Sequence, residues 1–298
     1  MKVARAIAIL MALLGGPLPG AGLESIHSRL LERQVPIAVH VPAAEVLARW
    51  RAAHPDEPLQ LVLFLPGAFD GPKDFLKTGL ETHLTEQEAA GHLPPSLWVA
   101  VTHFQSWYAD RKDGRFPYER FLMEELIPQL EARHPGFGGS PRARSLAGLS
   151  MGGFGALNLA VRTGAFSKCL ALSPALIEPP FRQVPWWIRR SLARTFPLDP
   201  GRFEPWNPRL HLGGSVALVV SCGTEDKYDL AKACQAFAEV CAARNRRLHL
   251  ELRPGGHDWA YWTPAFKAWM PWLLDRDAAQ EALAGSVAKS EYGPIIGS

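Results

Sequence analysis

The chain has 298 residues, 47% of them hydrophobic, with 32 Lys and Arg against 29 Asp and Glu. That length and apolar content supply a sizeable core, one large α/β domain or two small ones, and argue against wholesale disorder. The net charge of +3 drops to +1 without Lys2 and Arg5 of the N-terminal segment, which excludes a general case for nucleic-acid binding.

Residues 1–22 read as a secretory signal peptide. Lys2 and Arg5 make a basic start, residues 6–14 a short apolar core, and Gly20-Ala21-Gly22 supplies small residues for cleavage. The apolar run is shorter than the roughly 20 residues that span a bilayer, and no later stretch is long and apolar enough. No cysteine lies near the cleavage stretch, so no lipoprotein is expected. The mature chain is expected to be secreted or periplasmic, with one folded domain over 23–276 and a disordered tail over 277–298; an uncleaved anchor is the alternative.

Residues 37–41 alternate as a strand, with 28–31 as a candidate antiparallel neighbour. Residues 43–53 read as a helical or looped connection. The continuous apolar run 59–65 is a strand buried on both faces, broken by the loop Pro66-Gly67-Ala68-Phe69-Asp70-Gly71-Pro72. Residues 73–90 are amphipathic and partly helical, and 97–102 form a second buried strand. In 118–133, Phe121, Leu122, Leu126, Ile127 and Leu130 fall at helical spacing, and Pro128 implies a kink or a first turn. A strand at 143–149 leads into a helical run at 154–162, followed by a strand at 169–172.

Residues 174–212, rich in Pro, Arg and Trp, break the rhythm and read as an insertion over the sheet with one short helix near 186–195. A strand at 215–221, a helix at 230–244, a strand at 248–252 and a helix at 264–274 complete the domain. Strands alternating with helices predict a mainly parallel sheet covered on both faces. Of the four cysteines, Cys169 and Cys222 fall in expected strands, and Cys234 and Cys241 lie too far apart on one helix to bridge each other. Buried free thiols are the plain reading, although export would permit a disulfide.

Gly148-Leu149-Ser150-Met151-Gly152-Gly153 lies between an expected strand and an expected helix. Gly-x-Ser-x-Gly in that context is a nucleophile elbow. The turn is tight, the serine is strained with its hydroxyl pushed out, and glycines at 148 and 152 avoid Cβ clashes with the flanking elements. The alternative is an ordinary glycine-rich turn. A serine hydroxyl is a poor nucleophile until a base takes its proton and a carboxylate orients that base. The order along such chains is serine, acid, histidine.

Downstream, the strand at 215–221 runs into Cys222-Gly223-Thr224-Glu225-Asp226-Lys227-Tyr228-Asp229. Asp226 is the expected acid. Glu225 and Asp229 are the alternatives, and Asp229 also suits a helix N-cap. The strand at 248–252 ends in Arg253-Pro254-Gly255-Gly256-His257-Asp258-Trp259, which makes His257 the expected base. His103 also ends a strand but precedes the serine, so it is expected in the pocket wall or as a structural hydrogen-bonder. A tetrahedral intermediate needs two preorganised donors. The expected pair is the backbone N–H of Met151, after the nucleophile, and that of Ala68, in the loop opened by Pro66-Gly67.

The Pro66-Gly67 loop, the run Tyr118-Glu119-Arg120-Phe121-Leu122-Met123-Glu124-Glu125-Leu126-Ile127-Pro128, the elbow, Gly223-Thr224-Glu225-Asp226 and Gly256-His257-Asp258-Trp259 together resemble the esterase D-type family. That family includes feruloyl esterases, S-formylglutathione hydrolases, enterochelin esterase-like proteins and the mycobacterial mycolyltransferases. The resemblance covers residues 28–275. It implies an α/β-hydrolase fold and a Ser150, Asp226, His257 triad, with no metal or cofactor. The chain departs from it at Pro66-Gly67, where many members carry His-Gly.

The expected activity is that of an exported serine carboxylesterase acting through an acyl-serine. The alternatives are acyl transfer to a sugar or lipid acceptor, as in the mycolyltransferases, and a non-catalytic exported binding protein on the same fold. An S-formylglutathione hydrolase is disfavoured, because those are cytosolic enzymes. The expected partner is a small-molecule or carbohydrate-linked ester. Aromatic residues at strand ends suit an aromatic, sugar or apolar group, so Phe69, His103, Trp107, Tyr108 and Trp187 are candidate substrate contacts, with Phe104 and Ser106 beside them. Each could equally pack its own loop. Trp186, Trp187, Arg189 and Arg190 could form a flap, a lid helix packed on the core, or a patch for an anionic polymer.

Overall fold

The structure is a computed structural model that describes residues 20–182 and 184–275. The expected signal peptide up to residue 19, and the tail 277–298, lie outside the described residues. Eight strands form one sheet: β1 (Gly20–Ser28), β2 (Arg33–Val41), β3 (Leu61–Leu65), β4 (Leu97–Val101), β5 (Arg144–Leu149), β6 (Lys168–Leu172), β7 (Ala217–Gly223) and β8 (His249–Arg253). Their order across the sheet is β1-β2-β4-β3-β5-β6-β7-β8. β1 and β2 pair antiparallel, as do β2 and β4; the remaining pairs are parallel. The strands from β3 to β8 therefore all end on the same edge of the sheet, and the candidate site is built there.

The longer helices are α1 (Ala44–Ala53), α2 (Pro72–Lys77), α3 (Leu80–Ala90), α4 (from Tyr118 to Arg133), α5 (Met151–Thr163), α6 (Trp186–Thr195), α7 (Leu230–Ala243) and α8 (Trp259–Leu274). Where one short helix was expected in 174–212, the structure adds single turns at Pro200–Phe203, Glu204–Trp206 and Pro208–Leu210 after α6. Alternate strand residues face opposite layers. On β3, Leu61, Leu63 and Leu65 join the layer of α4, α5 and α7, while Val62 and Phe64 join that of α2, α3 and α8. The strands are thus covered on both faces, which is why they read as continuous apolar runs. All four cysteines are buried free thiols.

Several elements depart from the sequence reading, each for a local reason. The antiparallel neighbour of β2 is Gly20–Ser28, so the expected strand at 28–31 is instead the end of β1 and a reversal. The Glu125 carboxylate holds that reversal, accepting from Ser28 Oγ at 2.5 Å and from the Arg29 and Leu30 amides at 3.1 and 3.3 Å. In α4, the segment Phe121–Leu126 is wound as a π-helix, and the Ile127 amide reaches the Leu122 carbonyl. Pro128 explains this, since its ring excludes the carbonyl four residues back and a wider turn relieves the clash. The last helix begins at Trp259 rather than 264, because the Asp258 side chain caps it by accepting from the Tyr261 amide.

Candidate active site

β5 ends at Leu149 and α5 begins at Met151, so Ser150 alone makes the turn between strand and helix. Its backbone stands at φ 54° and ψ −117°. A non-glycine residue held there stores on the order of 1–3 kcal/mol of strain, which neighbouring bonds must hold in place. The Ser150 amide donates to the Leu172 carbonyl at 2.9 Å, and its carbonyl accepts from the Phe154 and Ala175 amides at 3.0 Å each. The glycines follow from close approach. A Cβ at Gly148 would strike the Gly152 carbonyl, one at Gly152 would strike the Leu65 carbonyl, and one at Gly153 would lie 3.0 Å from the Leu172 carbonyl.

The loops after β7 and β8 bring an acid and a base to this turn. They run against each other, the Thr224 amide donating to Arg253 O at 2.8 Å and the Glu225 amide to Gly255 O at 3.0 Å. A side chain at Gly223 would strike the Gly255 carbonyl, and Gly255 itself sits at φ +143°. His257 Nε2 lies 2.9 Å from Ser150 Oγ, and His257 Nδ1 lies 2.7 Å from Asp226 Oδ2. A carboxylate only accepts, so Nδ1 carries the proton and Nε2 presents its lone pair to the serine hydroxyl.

The Asp226 side chain is fully buried and that of His257 is 8% exposed. The other Asp226 oxygen accepts from the Tyr228 amide at 2.9 Å. Tyr228 and Trp262 clasp the imidazole with T-shaped ring contacts, both at 4.9 Å between centroids. Of the two other candidate acids, Glu225 is exposed, and Asp229 points to solvent beside Lys232. Asp229 occupies the N-cap position of α7 at φ 57°, but its side chain makes no cap hydrogen bond.

Met151 is the first residue of α5, so no residue of its own helix can accept its amide proton. The loop carrying Ala68 follows β3. At Gly67 a Cβ would lie 2.8 Å from the Leu149 side chain and 3.5 Å from Ser150 Cβ, so this loop lies directly against the elbow. Three bonds fix it from neighbouring loops. Gln105 Nε2 donates to the Ala68 carbonyl at 2.7 Å, His103 Nε2 to the Asp70 carbonyl at 2.9 Å, and Trp259 Nε1 to Asp70 Oδ1 at 2.9 Å. Burial pushes the Asp70 carboxyl above its ordinary range, while the Trp259 hydrogen bond and the nearby His257 pull it back.

His103 thus acts as a brace. Its other ring nitrogen accepts from the Gln105 amide at 2.9 Å, and burial holds its pKa below the ordinary value, in keeping with a neutral ring that donates at one nitrogen and accepts at the other. Trp107 and Tyr108, expected at the substrate surface, are turned inward. Trp107 Nε1 donates to Ser191 Oγ on α6 at 2.9 Å, and the Tyr108 hydroxyl donates to the Pro66 carbonyl at 2.7 Å. Phe104, Gln105, Trp107 and Tyr108 all adopt φ between 47° and 58°. In that strained loop Trp107 and Tyr108 are buried and pack against the domain, while Gln105 stays exposed.

Phe69 is 78% exposed and meets Trp187 of α6 in a T-shaped contact at 5.1 Å. The structure thus brings together Ser150, His257, Asp226, Met151 and the loop of Ala68, with Phe69 and Trp187 at the rim. Asp70, Gln105, Tyr228 and Trp259 escaped the sequence reading as parts of the site. The nearest signal for Asp70, Tyr228 and Trp259 was membership of the quoted loops, and for Gln105 its place between Phe104 and Ser106.

A profile of the family described as Putative esterase matches residues 31–273. Iron(III) enterobactin esterase of Dickeya dadantii (strain 3937) is 27% identical over 238 residues, covering 76% of this chain and 51% of that protein. The chain therefore spans about half the length of this curated relative. Among solved structures, a ferulic acid esterase superposes with a TM-score of 0.69 at 22% identity, over 85% of this chain and 97% of the other. FphF, a fluorophosphonate-binding serine hydrolase of Staphylococcus aureus, gives 0.70 at 20% identity, over 87% and 100%. At these identities the two superpositions show the α/β-hydrolase fold.

Proposed function

Since the chain belongs to the Esterase family across residues 31–273, we propose that it is a serine carboxylesterase working through an acyl-Ser150 intermediate. One observation carries this reading: the line from Ser150 Oγ to His257 Nε2 at 2.9 Å and from His257 Nδ1 to Asp226 at 2.7 Å. In it, Ser150 Oγ attacks the ester carbonyl carbon while His257 Nε2 takes the hydroxyl proton. The carbonyl oxygen becomes an oxyanion held by the backbone N–H groups of Met151 and Ala68. Collapse breaks the ester C–O bond, and His257 returns the proton to the departing alcohol. Water then attacks the acyl carbon, giving its proton to His257, and collapse releases the acid and restores Ser150. Asp226 stays anionic throughout, fixing the ring and balancing its transient charge.

Hydrolysis of a chromogenic short-chain ester tests this. Ser150→Ala is expected to lower kcat by about 10⁴-fold or more; full activity in that variant would sink the reading. Products assayed with and without a carbohydrate acceptor distinguish hydrolysis from acyl transfer, which would share the same acyl-enzyme. The reading includes export, supported by the basic and apolar pattern of residues 1–22. Cell fractionation tests it, and recovery of the protein in the cytoplasm would remove that part.

A further inference from the structure

Helix α6 has two unlike faces. Its inner face is fastened to the domain: Leu192 and Thr195 are buried, Ser191 accepts from Trp107, and Lys112 Nζ caps the helix by donating to the Ala193 and Phe196 carbonyls. Its outer face carries Trp186, Arg190 and Arg194, spaced four apart and therefore stacked along one side of the helix. All three are exposed, Trp186 by 75%. Within the insertion, Arg209 pairs with Glu178. Among the described residues, Arg189, Arg190 and Arg194 form no ion pair with a carboxylate, so three guanidinium groups stand unneutralised on one short helix. The same region exposes Phe69 and Trp187 at the rim, and Leu198 and Leu210 further along the insertion.

We propose that the outer face of α6, with Phe69 and Trp187 beside it, docks this protein onto an anionic phospholipid bilayer. Guanidinium groups without internal partners complement headgroup phosphates and bind them bidentately. Indole rings settle at headgroup depth, with the ring among the acyl chains and the N–H toward water. A surface that carries basic residues and a tryptophan side by side offers the headgroups both charge and an interfacial ring. A soluble anionic polymer would satisfy the arginines alone, whereas the exposed Leu198, Leu210 and Phe69 gain only from an apolar phase. Phe69 belongs to the loop that lies against Ser150, so docking by this face brings that loop next to the lipid surface. The surface stands on its own observations, whether or not Ser150 is the nucleophile.

The test is co-sedimentation of the full chain with vesicles of mixed phosphatidylglycerol and phosphatidylcholine, against phosphatidylcholine alone. Lys2, Arg5 and the apolar N-terminal run are common to every variant, so the readout is the phosphatidylglycerol-dependent part of the binding. The wild type is expected to prefer the anionic vesicles. Arg190→Gln with Arg194→Gln should weaken that binding about 30-fold, the loss of two arginine–headgroup attractions. Arg190→Lys with Arg194→Lys should retain most of it, and Trp186→Ala should weaken it several-fold. Unchanged turnover of a soluble chromogenic ester, or an unchanged circular dichroism spectrum, shows that these variants are folded. Equal binding to both vesicle types, or binding indifferent to the glutamine variant, would overturn the proposal. Capture by dextran sulfate that survives Trp186→Ala, without vesicle binding, would assign the face to an anionic polymer instead.

Discussion

Ser150 is held by its backbone before its hydroxyl does any chemistry. Its φ of 54° is sustained by the bonds to Leu172, Phe154 and Ala175 and by the glycines around it. The glycine pattern lies within a few residues of Ser150, so the elbow was legible in the sequence, whereas its bonds to Leu172 and Ala175 were not. The placement of Asp226 and His257 beside Ser150 was legible because the proposed chemistry admits few residue types and looks for them at strand ends in a fixed order. The support around them was not. Trp259 and Asp70 lie 189 positions apart, and nothing local predicts that an indole N–H will tie the histidine loop to the loop of Ala68. That tie carries a prediction. Asp70→Ala should lower kcat about 10-fold or more with KM little changed, since a small displacement of positioned groups is costly. Asp70→Asn, which can still accept from Trp259, should keep most of the rate. Wild-type kcat in Asp70→Ala would show that the tie does not position the site.

The elements show where short-range patterns mislead. The last helix was expected over 264–274, yet the Asp258 cap starts it at Trp259. The β1–β2 reversal depends on Glu125, nearly a hundred residues away in sequence, and no turn signal reveals that. A second long-range contact joins β2 to α3. His40, 1% exposed, lies 3.4 Å from Glu81 and 3.1 Å from Glu88. Burial alone would lower its pKa, but the two carboxylates outweigh burial and raise it above the ordinary value near 6.5. A raised folded-state pKa means that the imidazolium stabilises the fold fully below the ordinary value. That contribution is lost as pH climbs through the folded-state value. Thermal melts should therefore show Tm falling as pH rises above 6.5, with the slope flattened in His40→Gln. An unchanged slope in that variant would place the pH dependence elsewhere.

At the scale of the molecule, alternation of buried strands and amphipathic helices was enough to predict a mainly parallel sheet, and with it the edge where the strands end. The insertion of β4 between β2 and β3 was not readable, because register depends on partners distant in sequence. The segment 174–212 stood out by composition, and the helix expected near 186–195 falls at Trp186–Thr195. Its docking onto Trp107 and its rim contact with Phe69 are tertiary facts. Three loops, after β5, β7 and β8, converge on Ser150, and the proposed function requires that this convergence make Ser150 a nucleophile. Reaction of the intact protein with a fluorophosphonate, followed by peptide mapping by mass spectrometry, tests it most directly. The account predicts a single adduct, on the peptide carrying Ser150, formed at least about 10³-fold more slowly in His257→Gln. An adduct on another residue, or an undiminished labelling rate in His257→Gln, would contradict it.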